Sequence, residues 1–269
     1  MGKTIFGLNL ANTNPSIDIV RPPARVAIFG LASDYGCQLQ ITNVEEHLLE
    51  VLGMFELVYW QLVSSQHVPD DYDIAVVEGA VCTEEDVQLA REIRKTAKVV
   101  IAIGACAVTG GIPGLAADDP QERIQEVYGQ IPVPAARSVT PRPLSDVIDV
   151  DFEVFGCPIE PADFVATLQR ALLGGFARDK QATLCGTCRL NENECFIQQG
   201  TLCLGLVTRS GCGARCVADG RPCTGCRGMS EHANIPSARA IVTEAGIDPE
   251  AFDTCLEVFN TVALNDDRG

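Results

Sequence analysis

The chain has 269 residues, 46% of them apolar, and a formal charge of −16. A chain of this size and hydrophobicity builds one large or two moderate cores and is not disordered. It lacks the clustered Lys and Arg that would neutralise nucleic-acid phosphates, and none of its apolar runs approaches the roughly 20 residues of a membrane span. The first residues, Met1-Gly2-Lys3-Thr4 onward, show neither an extended apolar leader nor a twin-arginine pair, so a cytoplasmic protein is expected. Thiols are kept reduced there, and the thirteen cysteines then point to metal ligands rather than disulfides.

Residues 1–24 are expected to form an irregular N-terminal extension, because Pro15, Pro22 and Pro23 interrupt regular structure. From Arg25 onward, apolar runs of strand length alternate with amphipathic helical patterns. The pattern predicts a strand at 26–31, a helix at 44–52, strands at 57–62 and 73–77, a helix at 84–95 and a strand at 99–103. A last strand at 148–155 leads into a helix at 161–173. The first domain, residues 25–176, is therefore α/β, a parallel sheet covered by helices.

Residues 177–269 form a second, irregular domain with C-terminal helices. Eight of the thirteen cysteines fall between 180 and 227 among glycines, few apolar residues remain there to build a core, and metal is expected to complete the fold. Helices are predicted at 236–245 and 249–262, with Cys255 in the core beside Phe252, Leu256 and Phe259.

In an open parallel sheet, ligands gather in the crevice at the carboxyl ends of the strands. Cys37 follows the first strand, Cys106 the fourth and Cys157 the fifth, each with a glycine immediately or two residues before it. One such cysteine reads equally well as a small buried hydrophobe. Three at equivalent strand ends favour a shared inorganic group. No histidine lies near these loops in sequence to activate a catalytic thiol.

The runs Asp34-Tyr35-Gly36-Cys37-Gln38-Leu39-Gln40, Val77-Glu78-Gly79-Ala80-Val81, Gly104-Ala105-Cys106-Ala107 and Gly156-Cys157-Pro158 resemble the flavodoxin-like domain of nickel-iron hydrogenase small subunits. The resemblance covers roughly residues 25–260. It implies that Cys37, Cys106 and Cys157 hold a proximal 4Fe-4S cluster. It also puts Glu78 near the interface with the nickel-bearing large subunit, as a candidate for proton handling. The family's first motif usually opens with a cysteine, whereas this chain has Asp34. A carboxylate is a harder donor but still an anionic one that binds iron, which makes Asp34 the primary candidate for the fourth ligand. Cys82 is the rival, or else a core filler.

The remaining block reads Cys185-x2-Cys188-x6-Cys195-x7-Cys203-x8-Cys212-x3-Cys216-x6-Cys223-x2-Cys226. Four-cysteine zinc sites also use C-x2-C pairs, but zinc ribbons separate the pairs by about 15–20 residues, and here 34 residues intervene. The C-x2-C-x2-C-x3-C-P run of bacterial ferredoxins is missing. The spacing resembles the delta subunits of soluble NAD(P)-linked sulfhydrogenases. That resemblance implies three 4Fe-4S clusters in all, a nickel-iron large subunit as partner, and a further iron-sulfur or flavin subunit that handles NAD(P). Taken contiguously, Cys185, Cys188, Cys195 and Cys203 would hold the distal cluster and Cys212, Cys216, Cys223 and Cys226 the medial one; an interleaved partition is equally compatible with sequence. Arg209, Arg215, Arg221 and Arg227 either offset cluster charge or are solvated surface residues. Two rival readings are a cluster subunit of an NADH-quinone oxidoreductase, against which the Asp34–Cys37 motif and the cysteine block weigh, and a zinc-stabilised interaction protein.

Overall fold

The computed structural model describes residues 4–5, 8–9, 23–44, 48–65, 67–116, 120–130, 137–175 and 182–266. Most of the N-terminal extension, the expected boundary at residue 176 and the last three residues lie outside them. Within the extension, β1 (Thr4–Ile5) and β2 (Leu8–Asn9) pair antiparallel.

The sheet is built from β3 (Arg25–Gly30), β4 (Glu56–Trp60), β5 (Ile74–Glu78), β7 (Val99–Ile103) and β9 (Phe152–Val154), all parallel, in the order β4-β3-β5-β7-β9. This is the flavodoxin-like order, second, first, third, fourth, fifth. Every residue of β5 is buried, as a central parallel strand covered on both faces requires. Gly30 lies opposite Glu78, Glu78 opposite Ile103 and Ile103 opposite Val154. β3, β5, β7 and β9 therefore end level, and the segment after each of them enters the same crevice. A separate antiparallel pair, β6 (Val81–Thr83) with β8 (Ser138–Arg142), borders it.

Helices α1 (Gly36–Thr42) and α2 (Leu48–Leu52) connect β3 to β4. α3 (Glu84–Thr96) leads into β7, and α4 (Gly104–Thr109) begins on the residue after that strand. α5 (Pro120–Tyr128) precedes β8, and α6 (Pro161–Leu172) follows β9. α3 starts where a capping box dictates: the Thr83 hydroxyl accepts from the Asp86 amide, and the Asp86 carboxylate accepts from the Thr83 and Cys82 amides. Each face of the sheet has its own apolar layer. Ile28, Val76 and Ile101 pack with Ile41, Phe164 and Leu168 on one side; Phe29, Val77 and Val100 pack with Ala90, Ile93 and Val108 on the other. Full burial of each large side chain is worth about 1.5–3 kcal/mol.

Of the helix expected at 44–52 the structure shows α2, with residues 45–47 outside the described ones, and α1 has no counterpart in the apolar pattern. Its buried positions include Gln38 as well as Cys37 and Ile41, so the period that would announce it is broken by a polar residue. Cys37 and Cys106 accordingly sit in the opening turns of α1 and α4, not in open loops.

The cysteine-rich part contains α7 (Leu184–Leu190), α8 (Arg215–Ala218), α9 (Ile235–Glu244), α10 (Pro249–Glu257) and α11 (Thr261–Asp266). It is not without a core: Ile197, Leu204 and Val207 from the block pack against Ala238, Val242, Phe252 and Leu256 of α9 and α10. Cys255 is exposed, contrary to expectation, while Phe252, Leu256 and Phe259 are buried. The three apolar residues follow one another at i, i+4 and i+7 and share a face, and Cys255 falls at its edge.

Asp73 ties the starts of three strands together. Its carboxylate accepts from the Arg25 amide (2.9 Å) and from Lys98 Nζ (2.6 Å), and these contacts, the backbone bond first, hold it below the usual carboxylate range. A carboxyl with a depressed folded-state pKa contributes stability that is complete above its unfolded value, about pH 4, and is lost as pH falls through the lower folded value. Asp73→Asn is therefore expected to lower the urea midpoint at pH 7, with the gap to the parent narrowing as pH approaches about 3; a gap independent of pH would contradict this role.

Candidate metal centres

The first site forms where β3, β5, β7 and β9 end. Glu78, the last residue of β5 and 2% exposed, turns its carboxylate onto α1. Oε1 accepts from the Cys37 amide at 2.9 Å and Oε2 from the Gln38 amide at 3.3 Å. Two of the unsatisfied amides that open every helix are thereby satisfied by an anion. Gln38 is itself buried and is held by Trp60 Nε1, which donates to its side-chain oxygen at 2.7 Å. Tyr35 precedes α1 in the left-handed conformation, φ 61°, an uncommon state for a non-glycine residue and one concentrated at functional sites. Its ring lies so close over Gly30 that a Cβ there would come within 2.6 Å of it. These contacts fix the Asp34–Cys37 turn, in which Asp34 Oδ1 accepts from the Gly36 amide at 2.9 Å.

Cys106 from α4 and Cys157 after β9 join Cys37 at this turn. Burial pushes the Cys37 thiol up, and the charges of Glu78, Cys157 and Cys106 push it the same way. Burial also raises Cys106 and Cys157, and both feel Asp34 and Glu78. Glu78 is raised by burial against the pull of its two amide donors, with Asp34 adding to the rise. Cys82 lies on β6 with its thiol pushed up to about 12, by burial first and then by Asp86 and Cys106. Asp34, Cys37, Cys106, Cys157 and Glu78 thus form one electrostatically coupled group, and Cys82 reaches it through Cys106. Gly104, φ 84°, leaves room for the Cys37 sulfur, since a Cβ there would collide with Sγ.

The eight-cysteine block divides in space. Cys185, Cys188, Cys195 and Cys203 line one cavity of about 700 Å³ together with Leu184, Phe196 and Ile197. The Cys185 thiol is pushed up to about 11 by burial and then by the other three. Cys226 is half-buried beside Cys212, Cys216 and Cys157. Cys223 stands between the sets: its amide donates to Cys203 Sγ at 3.3 Å, and its thiol, raised to about 12 by burial, feels both Cys203 and Cys226. Among the described residues no three His, Cys, Asp or Glu side chains converge tightly enough to hold a single metal ion. Four thiols spaced around a cavity suit a polyatomic core such as an iron-sulfur cluster.

Sequence does not single out Gln38, Trp60 or Asp163. Of the four arginines, Arg209 and Arg227 are buried, whereas Arg215 and Arg221 are exposed. Arg209 stacks on the Phe155 ring at 4.1 Å, and Arg215 pairs with Glu160 at 2.9 Å. No helix among the described residues is long and apolar enough to cross a membrane.

Residues 35–171 match the family model described as NADH ubiquinone oxidoreductase, 20 Kd subunit. The chain is 31% identical to sulfhydrogenase 2 subunit delta of Pyrococcus furiosus, over 84% of this chain and 95% of that protein. It is 32% identical to a chain of the F420-non-reducing hydrogenase vhu of Methanocaldococcus jannaschii, over 89% and 92%. Among solved structures, a [NiFeSe]-hydrogenase chain from Dm. baculatum superposes with a TM-score of 0.59 at 17% identity, covering 77% of this chain and 95% of that one. An NAD+-reducing [NiFe]-hydrogenase chain gives 0.53 at 24% identity, over 58% and 93%.

Gly104→Ala, which drives a methyl group into the Cys37 sulfur and strains a left-handed backbone, is expected to deplete metal at the strand-end site while the block keeps its own. Iron and sulfide analysis of the purified variant against the parent checks this; full metal content would show that the site tolerates displacement of Cys37.

Proposed function

Since the chain belongs to the small, electron-transferring subunits of nickel-iron hydrogenases, oxidoreductases that act on hydrogen, we propose that it relays electrons through three 4Fe-4S clusters. The family model stops at residue 171, within the half that carries the sheet, whereas the two hydrogenase relatives match across 84% and 89% of the chain. This favours a hydrogenase over the respiratory NADH-quinone enzyme.

The observation that carries the reading is the meeting of Cys37, Cys106 and Cys157, from three different strand ends, with Asp34 beside them. Three thiolates and one carboxylate make a complete tetrad, and Asp34 supplies the fourth donor: its charge bears on Cys106, Cys157 and Glu78, while Cys82 is coupled through Cys106 and has its backbone engaged by the α3 cap. Cys185, Cys188, Cys195 and Cys203 hold the distal group around their cavity. Cys212, Cys216, Cys223 and Cys226 hold the medial one. Bound there, such clusters supply one-electron stepping stones between the nickel-iron site of the large subunit and a further iron-sulfur or flavin subunit that handles NAD(P). Glu78 presents Cys37 by fixing the first turn of α1. The buried thiols, held protonated in the bare chain, release their protons when iron loads.

Anaerobically isolated protein is expected to be brown, to bleach with dithionite and to carry about twelve irons per chain; a colourless zinc protein removes the reading. Asp34→Ala is expected to convert or empty the strand-end cluster, and Cys82→Ala to leave iron content and the electron paramagnetic resonance spectrum unchanged. The reverse result transfers the fourth ligand to Cys82.

A further inference from the structure

One guanidinium organises the junction between the sheet and the cysteine-rich part. Arg227 follows Cys226 directly and is 4% exposed. Its Nε donates to the Ser210 carbonyl at 3.0 Å and its Nη1 to the Phe155 carbonyl at 2.8 Å, and Nη2 pairs with Asp163, in the first turn of α6, at 2.8 Å. Gly211, φ 133°, leaves space for it, since a Cβ there would collide with the guanidinium. The planar fork thus satisfies three acceptors at once, which a lysine ammonium on its flexible stem does not reproduce.

What these acceptors adjoin gives the arrangement its meaning. Phe155 stands two residues before Cys157, and Ser210 two residues before Cys212. Arg227 itself adjoins Cys226. The backbone amide of Cys157, in turn, hydrogen-bonds to the Cys226 sulfur, so the strand-end site and the block are joined sulfur to peptide. Burying a cation here is costly unless it is paired, and a neutral brace would hold the same backbone at less cost. A charge does something a neutral brace does not, because each group that accepts an electron becomes more negative and a desolvated cation beside it stabilises that state.

We infer that Arg227 is a positioning residue for electron transfer. It locks the Cys157 loop against Cys226, and its charge raises the reduction potential of the groups held on either side. Asp163 opposes that charge and sets its size, with Glu160, Arg215 and Arg209 as further charged groups at the junction. The inference rests on the cluster reading above.

Arg227→Gln and Asp163→Asn remove the same ion pair but change the local charge in opposite directions. In the anaerobically isolated complex, a mediated redox titration followed by visible absorbance and electron paramagnetic resonance is expected to show a lower midpoint for at least one cluster in Arg227→Gln and a higher one in Asp163→Asn. Damage to the junction alone would move both variants the same way, so shifts of equal sign overturn the inference, as do unmoved midpoints. Should Arg227→Gln fail to assemble, Asp163→Asn decides alone: a raised midpoint supports the role, and an unchanged or lowered one ends it. A parent protein without any reducible centre would overturn the cluster reading and this inference together, whereas intact parent centres with unmoved midpoints overturn only the role of Arg227.

Discussion

The structure turns on a buried carboxylate at the end of its central strand. Glu78 sits where β3, β5 and β7 end level, and its two oxygens accept the Cys37 and Gln38 amides. A buried anion is unfavourable unless hydrogen-bonded, and those two amides would otherwise be orphaned donors at a helix start. Each group solves the other's problem, and the result is a helix whose direction is set by the sheet. The left-handed Tyr35, its ring over Gly30 and the Trp60–Gln38 bond all accompany this seating of α1. Cys37 is thus positioned by a strand forty-one residues further along the chain, which no local sequence signal encodes.

The two parts of the chain would gain from a bound inorganic core to different degrees. The sheet has a full apolar layer on each face and holds its three cysteines at the ends of elements that are stable in their own right. The block has one modest cluster, completed by α9 and α10, and a smaller one of Leu184, Ala214 and Cys223. Its cysteines lie mostly in short turns whose geometry little else defines. Cross-linking by an inorganic core of the kind proposed would therefore matter more to the block's fold than to the sheet's. The ties to the sheet through Arg227, Arg209 and Arg215 give the block a fixed reference against which to order.

The parallel sheet is legible in the sequence because its strands are near-continuous runs of Val, Ile and Ala, as strands buried on both faces must be. The grouping of Cys37, Cys106 and Cys157 is legible from the rule that successive loops of such a sheet leave at one edge. α1 is hidden because a glutamine occupies a core position and finds its partners on Trp60 and Phe29. Cys255 departs from expectation because it falls at the edge of the helix face that buries Phe252, Leu256 and Phe259. The junction arginines are visible as a composition anomaly in an acidic chain. Nothing local separates Arg227 from Arg221, since burial there is decided by Asp163 and Phe155, more than sixty residues away.

The acidity of the thiols separates a ligand set from a set of core fillers. An isolated buried cysteine with a raised pKa is simply a small hydrophobe, stable as it stands. Here the thiols stand beside one another and beside carboxylates: Cys37 is raised by Glu78 as well as by burial, Cys106 and Cys157 feel Asp34, and Cys226 feels Cys212 and Cys216. Each group makes ionisation of its neighbours harder, and of the cations at the junction Arg227 is already paired with Asp163 and Arg209 lies on the Phe155 ring. A fold selected for packing alone would have dispersed such groups or replaced them with alanine and valine. Their concentration suits a positively charged core, which would favour the ionised form of every member at once.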